Sequence, residues 1–248
     1  MIRDILTIMW KEAKGLLRQQ GSRMRALWML VIVLIMFGVL LPWQIGPAWL
    51  TSYWLIIAAV FIPFLLVGTT IPESIAGERE RHTLGTLLAS RLSDKAIVFG
   101  KIIMAVLYGW GVFLISLIIS LFVVNIVHWD GHIVFFTASI VVVNITLSLL
   151  VACFTAGLGI LISVRAATVQ SATMIMMAII FVPLVVLQIV GLIVLQAWRS
   201  RIDRIIEVIG AANHTLIAIV IIAVLFVADI LLIMATIRRF RRNRLILS

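Results

Sequence analysis

The chain has 248 residues, of which 64% are hydrophobic and only 12% charged, and its formal net charge is +10. Apolar runs of eighteen or more residues recur along its length, each long enough to cross a bilayer as a helix, which excludes a soluble globular domain. A single cysteine, Cys153, excludes an internal disulfide framework and a cysteine-based zinc site.

The N-terminal segment, 1–25, comes first. Within 2–17, Ile2, Ile5, Leu6, Met9, Ala13, Leu16 and Leu17 share one helical face, while Arg3, Asp4, Lys11, Lys14 and Arg18 fall mostly elsewhere. That spacing and charge predict an amphipathic helix lying in the membrane interface. The N-terminus is too charged to be a cleaved signal peptide. Six spans come after it, at roughly 27–45, 53–72, 97–127, 132–163, 168–196 and 213–237. Spans three and four exceed the usual twenty residues, so they tilt or extend past the hydrocarbon. Between spans five and six, in 197–212, Ile202, Ile205, Ile206 and Ile209 repeat at helical spacing with Arg201, Arg204 and Glu207 between them. A short amphipathic helix on the outer surface is expected there. The fold class expected is therefore all-α and polytopic, one transmembrane domain over 1–248 with no internal repeat.

Seventeen of the twenty Lys and Arg residues lie in the N-terminal segment, in the loop after span two with the foot of span three, at Arg165, and in the tail. The other side keeps Arg199, Arg201 and Arg204. The positive-inside rule then puts both termini in the cytosol. It also makes the net charge a sign of topology and of anionic lipid, not of nucleic acid.

Between spans two and three the character changes. Pro72 is expected to end or kink span two. Glu73, Glu78 and Glu80 cluster near the start of the next helix, and Leu84, Leu87 and Leu88 then form a small apolar face at i, i+3 and i+4. Residues 73–95 so read as a short amphipathic helix across the cytoplasmic ends of two spans. Charge on one side and leucine on the other suit a surface that docks on another protein.

The stretch IAGERERHTLGTLLASRLSDKAIVFGK, 75–101, resembles the signature region of type-2 ABC transporter permeases. Ala76, Gly77, Glu78, Arg79, Glu80, Arg81, Thr83, Leu84, Leu87, Leu88, Ser90, Leu92, Ser93, Ile97, Gly100 and Lys101 fall on its pattern. His82 stands where Gly is usual, Gly85 replaces an acidic residue, Arg91 replaces Pro, and Asp94 replaces Arg. MWKEAKGLLR near the N-terminus, GLGILIS at 157–163 and IRRFRRNRL in the tail are similar to family segments too. The resemblance implies a plasma-membrane exporter in which two permeases pair, as a homodimer or heterodimer. Two separate ATPase subunits, carrying ATP and Mg, would dock on the coupling helix after span two. Glu73, Gly77, Glu78, Arg79, Glu80, Arg81, Thr83, Leu84, Leu87 and Leu88 would be the coupling residues.

The chain shows no G-x-x-x-x-G-K-[ST] phosphate cradle, so it is not expected to be an ATPase itself or to bind a cofactor. Asp229 is the only acid deep in a span, about 13 Å along the helix from Arg238 at ~1.5 Å per residue. An ionised Asp there costs on the order of 2.5–3.5 kcal/mol on insertion scales. It reads either as part of a substrate path or gate, or as a packing hydrogen bond. Asn144, Ser148 and Thr155, among small residues of span four, read as packing first and substrate lining second. Pro183 is expected to kink span five. His128 and His132 flank Asp130 but are too few for a convincing metal site. An ATP-independent carrier or channel built on Asp229 is the alternative function.

Overall fold

The computed structural model describes residues 2–18, 20–83, 85, 91–197 and 214–239, which form helices joined by turns and short extended segments. In chain order the helices are α1 Ile2–Arg18, α2 Gln20–Leu34, α3 Leu41–Ile45, α4 Ala48–Thr51, α5 Leu55–Glu80, α6 Asp94–Val127, α7 Ala138–Ser163, α8 Val169–Ala197 and α9 His214–Arg239. A π-helical turn, Ile35–Leu40, joins α2 to α3 ahead of Pro42. Six segments are long and apolar enough to cross a membrane: Leu27–Ile45, Leu55–Glu80, Asp94–Val127, Ala138–Ser163, Val169–Gly191 and Ile217–Arg238. The expected outer helix, but for Ala197, lies outside the described residues, as do Leu84, Leu87 and Leu88.

At the centre stands α5, which packs against α6, α7 and α8, while α7 also packs against α9 and α1 lies against α6. The contacts Gly68–Thr155 and Gly159–Ile71 show that α5 and α7 run the same way, and Gly157–Leu232 adds α9 beside α7. Lipid is as apolar as leucine, so such helices hold together by close approach and by polar contacts. Gly109 of α6 is one such approach: a Cβ there would meet Val67 Cγ2 at 2.6 Å and Pro63 Cα at 3.3 Å. Of the six spans α5 is the most buried, and α8 and α9 are the least.

Three expectations are corrected. Pro72 does not end span two: α5 continues through both Pro63 and Pro72 to Glu80. A helix in such surroundings tolerates proline because neighbouring helices and hydroxyls compensate for the lost backbone bond. Glu73, Glu78 and Glu80 therefore lie on the last turns of α5, not at the start of a new helix. Span four starts at Ala138 rather than 132, because Asn125 of α6 binds both the N–H and the C=O of Val134 and holds that segment out of the helix. On α1 the inward residue is Ile8, 1% exposed, while Ile2, Leu6 and Trp10 are exposed. The helix thus has two apolar faces. One packs on α6 at Gly100, where a Cβ would meet Ile8 Cγ2 at 2.6 Å. The other is exposed.

Candidate functional site

The end of α5 is closed by a backbone motif. Thr83 N–H donates to Glu78 C=O and His82 N–H donates to Arg79 C=O. His82 is left-handed, with φ of 55°. These two bonds and that residue make a Schellman C-cap, in which the left-handed position usually takes Gly. The turn fixes where the last helical side chains point.

Inward they point at a cluster of charge. Lys101, near the start of α6, is 2% exposed. Its Nζ donates to Glu12 Oε1 at 2.7 Å, to Ser74 C=O at 2.7 Å and to Ser74 Oγ at 3.0 Å. Glu78 Oε2 lies 3.1 Å from the same Nζ. That oxygen makes no well-directed hydrogen bond and is held by charge. Glu78 Oε1 accepts from Lys11 Nζ of α1. Two lysines and two glutamates thus join α1, α5 and α6. Buried charges need such pairing, since each alone costs several kcal/mol to desolvate.

Two neighbours tie α5 to the turn between α7 and α8. Arg79 donates from its two terminal nitrogens to the Val164 and Ala166 carbonyls, both at 2.8 Å. These are orphan acceptors just past the end of α7, and guanidinium suits them as a charged fork. Glu80 Oε1 accepts from Val169 N–H at 2.7 Å, at the positive first turn of α8. Gly77, buried, lies against Val169, and a Cβ there would meet Val169 Cγ2 at 3.5 Å. Arg81 sits 3.8 Å from Glu73. Glu80, Arg81, His82 and Thr83 are exposed, whereas Glu78 is turned inward.

The structure therefore brings together Glu73, Gly77, Glu78, Arg79, Glu80, Arg81 and Thr83 at one end of α5. It adds Lys11, Glu12 and Ser74, which sequence reasoning left out of the site. The pairs Lys11–Glu78 and Glu12–Lys101 join residues 67 and 89 positions apart. The one signal available was Lys101 itself, a cation just past Gly100 at the start of a long apolar run.

The groups at membrane depth behave differently. Ser148 and Thr155 donate to carbonyls of their own helix, at Ile145 and Val151, and bond to no other helix among the described residues. Asn144 Nδ2 does the same at Ile140, and its Oδ1 has no partner among the described residues although the residue is 1% exposed. Asp229 of α9 is 5% exposed, and neither carboxyl oxygen has a partner among the described residues. Thr236, two turns further along α9, donates to Leu232 C=O at 2.7 Å and reaches Gly157 C=O of α7 at 3.5 Å. Pro183 lies within α8, whose helix runs on past it to Ala197. Asn144, Asp229 and Pro183 thus occupy three different helices, and Asn144 lies toward the end of the bundle opposite the charged cluster.

A family description, ABC-2 family transporter protein, matches residues 6–203, from α1 to beyond α8. No curated protein matches the chain.

Proposed function

The chain belongs to the ABC-2 family of transporter proteins, as its multi-pass membrane permease, and from that premise we propose an ATP-driven exporter of the plasma membrane. Two permeases, identical or not, pair in the bilayer, with both termini in the cytosol. Two separate ATPase subunits bind ATP and Mg and dock at the end of α5. The family match over most of the chain carries this reading. The sorting of basic residues supports the sidedness.

The docking surface comprises the exposed Glu80, Arg81, His82 and Thr83 and the leucines beyond them, Leu84, Leu87 and Leu88. Gly77, Glu78 and Arg79 serve the same coupling from behind. Movement of the ATPase at this tip is passed through Glu78 and Arg79 to α1, α6 and the α7–α8 turn, because the tip is bonded to all of them. Rigid elements joined by charge pairs transmit displacement in this way without internal flexing. Cargo passes along the polar groups of α7 and α9, with Asn144 and Asp229 on its route and Pro183 as a gating position.

Purification of the tagged chain from native membranes in mild detergent tests this. A stoichiometric ATPase that hydrolyses ATP is expected. Leu84→Asp with Leu87→Asp should leave the permease in the membrane and release the ATPase. An unchanged complex with unchanged hydrolysis would remove the docking assignment. The second reading, an ATP-independent carrier, rests on the unpartnered Asp229. It takes the lead if no ATPase accompanies the chain under several gentle conditions.

A further inference from the structure

The outward face of α1 takes no part in the packing described so far. Ile2, Leu6 and Trp10 are each more than half exposed, while Ile8 on the opposite face is sealed against Gly100 of α6. At roughly 100° per residue the three make one stripe, and the exposed Arg3 and Lys14 fall within roughly 40° of Trp10 along its edge. The acids of α1 lie elsewhere: Glu12 reaches inward to Lys101, and Asp4 is half-buried further round the helix.

An apolar stripe bordered by cations is the arrangement by which an interfacial helix holds an anionic bilayer. Apolar side chains enter the acyl boundary, and Trp settles at headgroup depth. The long stems of Arg and Lys carry their charge out to the phosphates. Arg3 and Lys14 stand roughly 16 Å apart along the axis. One headgroup does not span that distance, whereas a leaflet of anionic lipid offers a phosphate to each. A protein groove would cover the stripe but would need two acids placed in this register.

We propose that the outward face of α1 docks on anionic lipid, and that this docking steadies the coupling end of α5. The link lies between Trp10 and Lys14. There Lys11 binds Glu78 of α5, and Glu12 binds Lys101 of α6. Lys101 in turn holds Ser74 and Glu78. α1 has 17 residues, and a segment of such length is a marginal helix unless packing or a surface supports it. Lipid binds the amphipathic helix and not the coil, so it raises the share of molecules in which both bonds are made. The consequence for ATPase coupling rests on the permease reading. The lipid response itself needs no ATPase, so the two fail separately.

The test uses the purified full chain in nanodiscs of phosphatidylcholine alone, or with about one third phosphatidylglycerol to supply the negative surface. Hydrogen exchange is followed over 2–18 and over 73–82. Each cation near an anionic surface adds about fivefold in affinity, so the pair should slow exchange of both segments at least about tenfold in the anionic discs. Strong salt should remove the difference. Arg3→Gln with Lys14→Gln should remove it too, while Arg3→Lys with Lys14→Arg should keep it. Equal exchange in the two lipids overturns the proposal. So does a lipid response that survives the double glutamine change, which would place the lipid elsewhere. Slowing confined to 2–18 overturns the link to α5. Protection that comes in phosphatidylcholine only when a co-purified ATPase is present gives this face to that subunit, and overturns lipid as its occupant.

Discussion

The charged side chains at the end of α5 and two polar side chains at membrane depth, Asn144 of α7 and Asp229 of α9, stand in opposite surroundings. At the charged end, Lys101 is held by Glu12, Glu78 and Ser74, while Arg79 finds two backbone carbonyls. At depth, Asn144 Oδ1 and both oxygens of Asp229 have no partner among the described residues. A buried polar group without a partner destabilises the fold unless something outside the chain supplies one. The first region is therefore a joint, built to be rigid. The second holds buried acceptors that the described residues leave unsatisfied.

Breaking the joint should produce the largest effect. Lys101→Met leaves Glu12 and Glu78 as buried carboxylates without their shared cation. Removing one member of a buried pair costs about 3–5 kcal/mol. Heat or SDS unfolding of the purified chain should show this as a large loss. The triple change Lys101→Met, Glu12→Gln and Glu78→Gln should recover most of it, because no buried unpaired charge then remains and Lys11, left without Glu78, is half-exposed and can turn to water. If Lys101→Met unfolds like the unaltered chain, the cluster is not the joint described.

Next comes Arg79→Met, which frees the Val164 and Ala166 carbonyls. Hydrogen bonds to charged groups contribute about 1.5–3 kcal/mol each, and water recovers part of the loss at this half-exposed site, so about 2 kcal/mol is expected. Hydrogen exchange should quicken around 164–169 and remain slow in the middle of α5. Arg79→Lys should restore only part of the protection, since an ammonium on a flexible stem lacks the two-pronged fork.

The two regions were not equally readable in advance. Six spans could be read because hydropathy is a local property of eighteen to twenty residues. So could the gathering of charge at 73–101. The partners of that charge were hidden, because Lys11 and Glu12 meet Glu78 and Lys101 only when α1 folds across α6. A one-dimensional reading sees five ionisable residues in a row from 78 to 82 and assigns them to a partner protein, when Glu78 faces the chain's own lysines. Pro72 misled for a related reason: proline breaks an isolated helix, but α5 is surrounded by helices that keep it in place. Asp229 stood out because a lone acid in a 22-residue apolar span is conspicuous by itself.

Asp229→Asn should sharpen the contrast from the other side. No bond within the described chain is lost, and the amide is cheaper to keep in the membrane than an ionised carboxylate. Stability should change by less than about 1 kcal/mol, or rise, in contrast to Lys101→Met. Transport in proteoliposomes should fall if the carboxyl handles cargo or a proton. A variant that transports at full rate would leave Asp229 without a charged role.

The smallest effect concerns His82, whose φ of 55° makes it the one non-glycine residue with positive φ among those described. Left-handed backbone costs a side-chain-bearing residue roughly 1–2 kcal/mol, and His is among the residues that tolerate it best. His82→Gly removes the strain but adds about 0.5–1 kcal/mol of unfolded-chain entropy, so the net change should be under about 1 kcal/mol. His82→Val should be clearly worse than either, because a β-branched side chain suits that conformation least. The order Gly near His, then Val well below, is what a strained C-cap requires, and unfolding midpoints measure it. Equal stability of all three would mean that the chain leaves α5 by another turn. The segment beginning at Leu84 would then set out in another direction, and the docking surface would have to be redrawn.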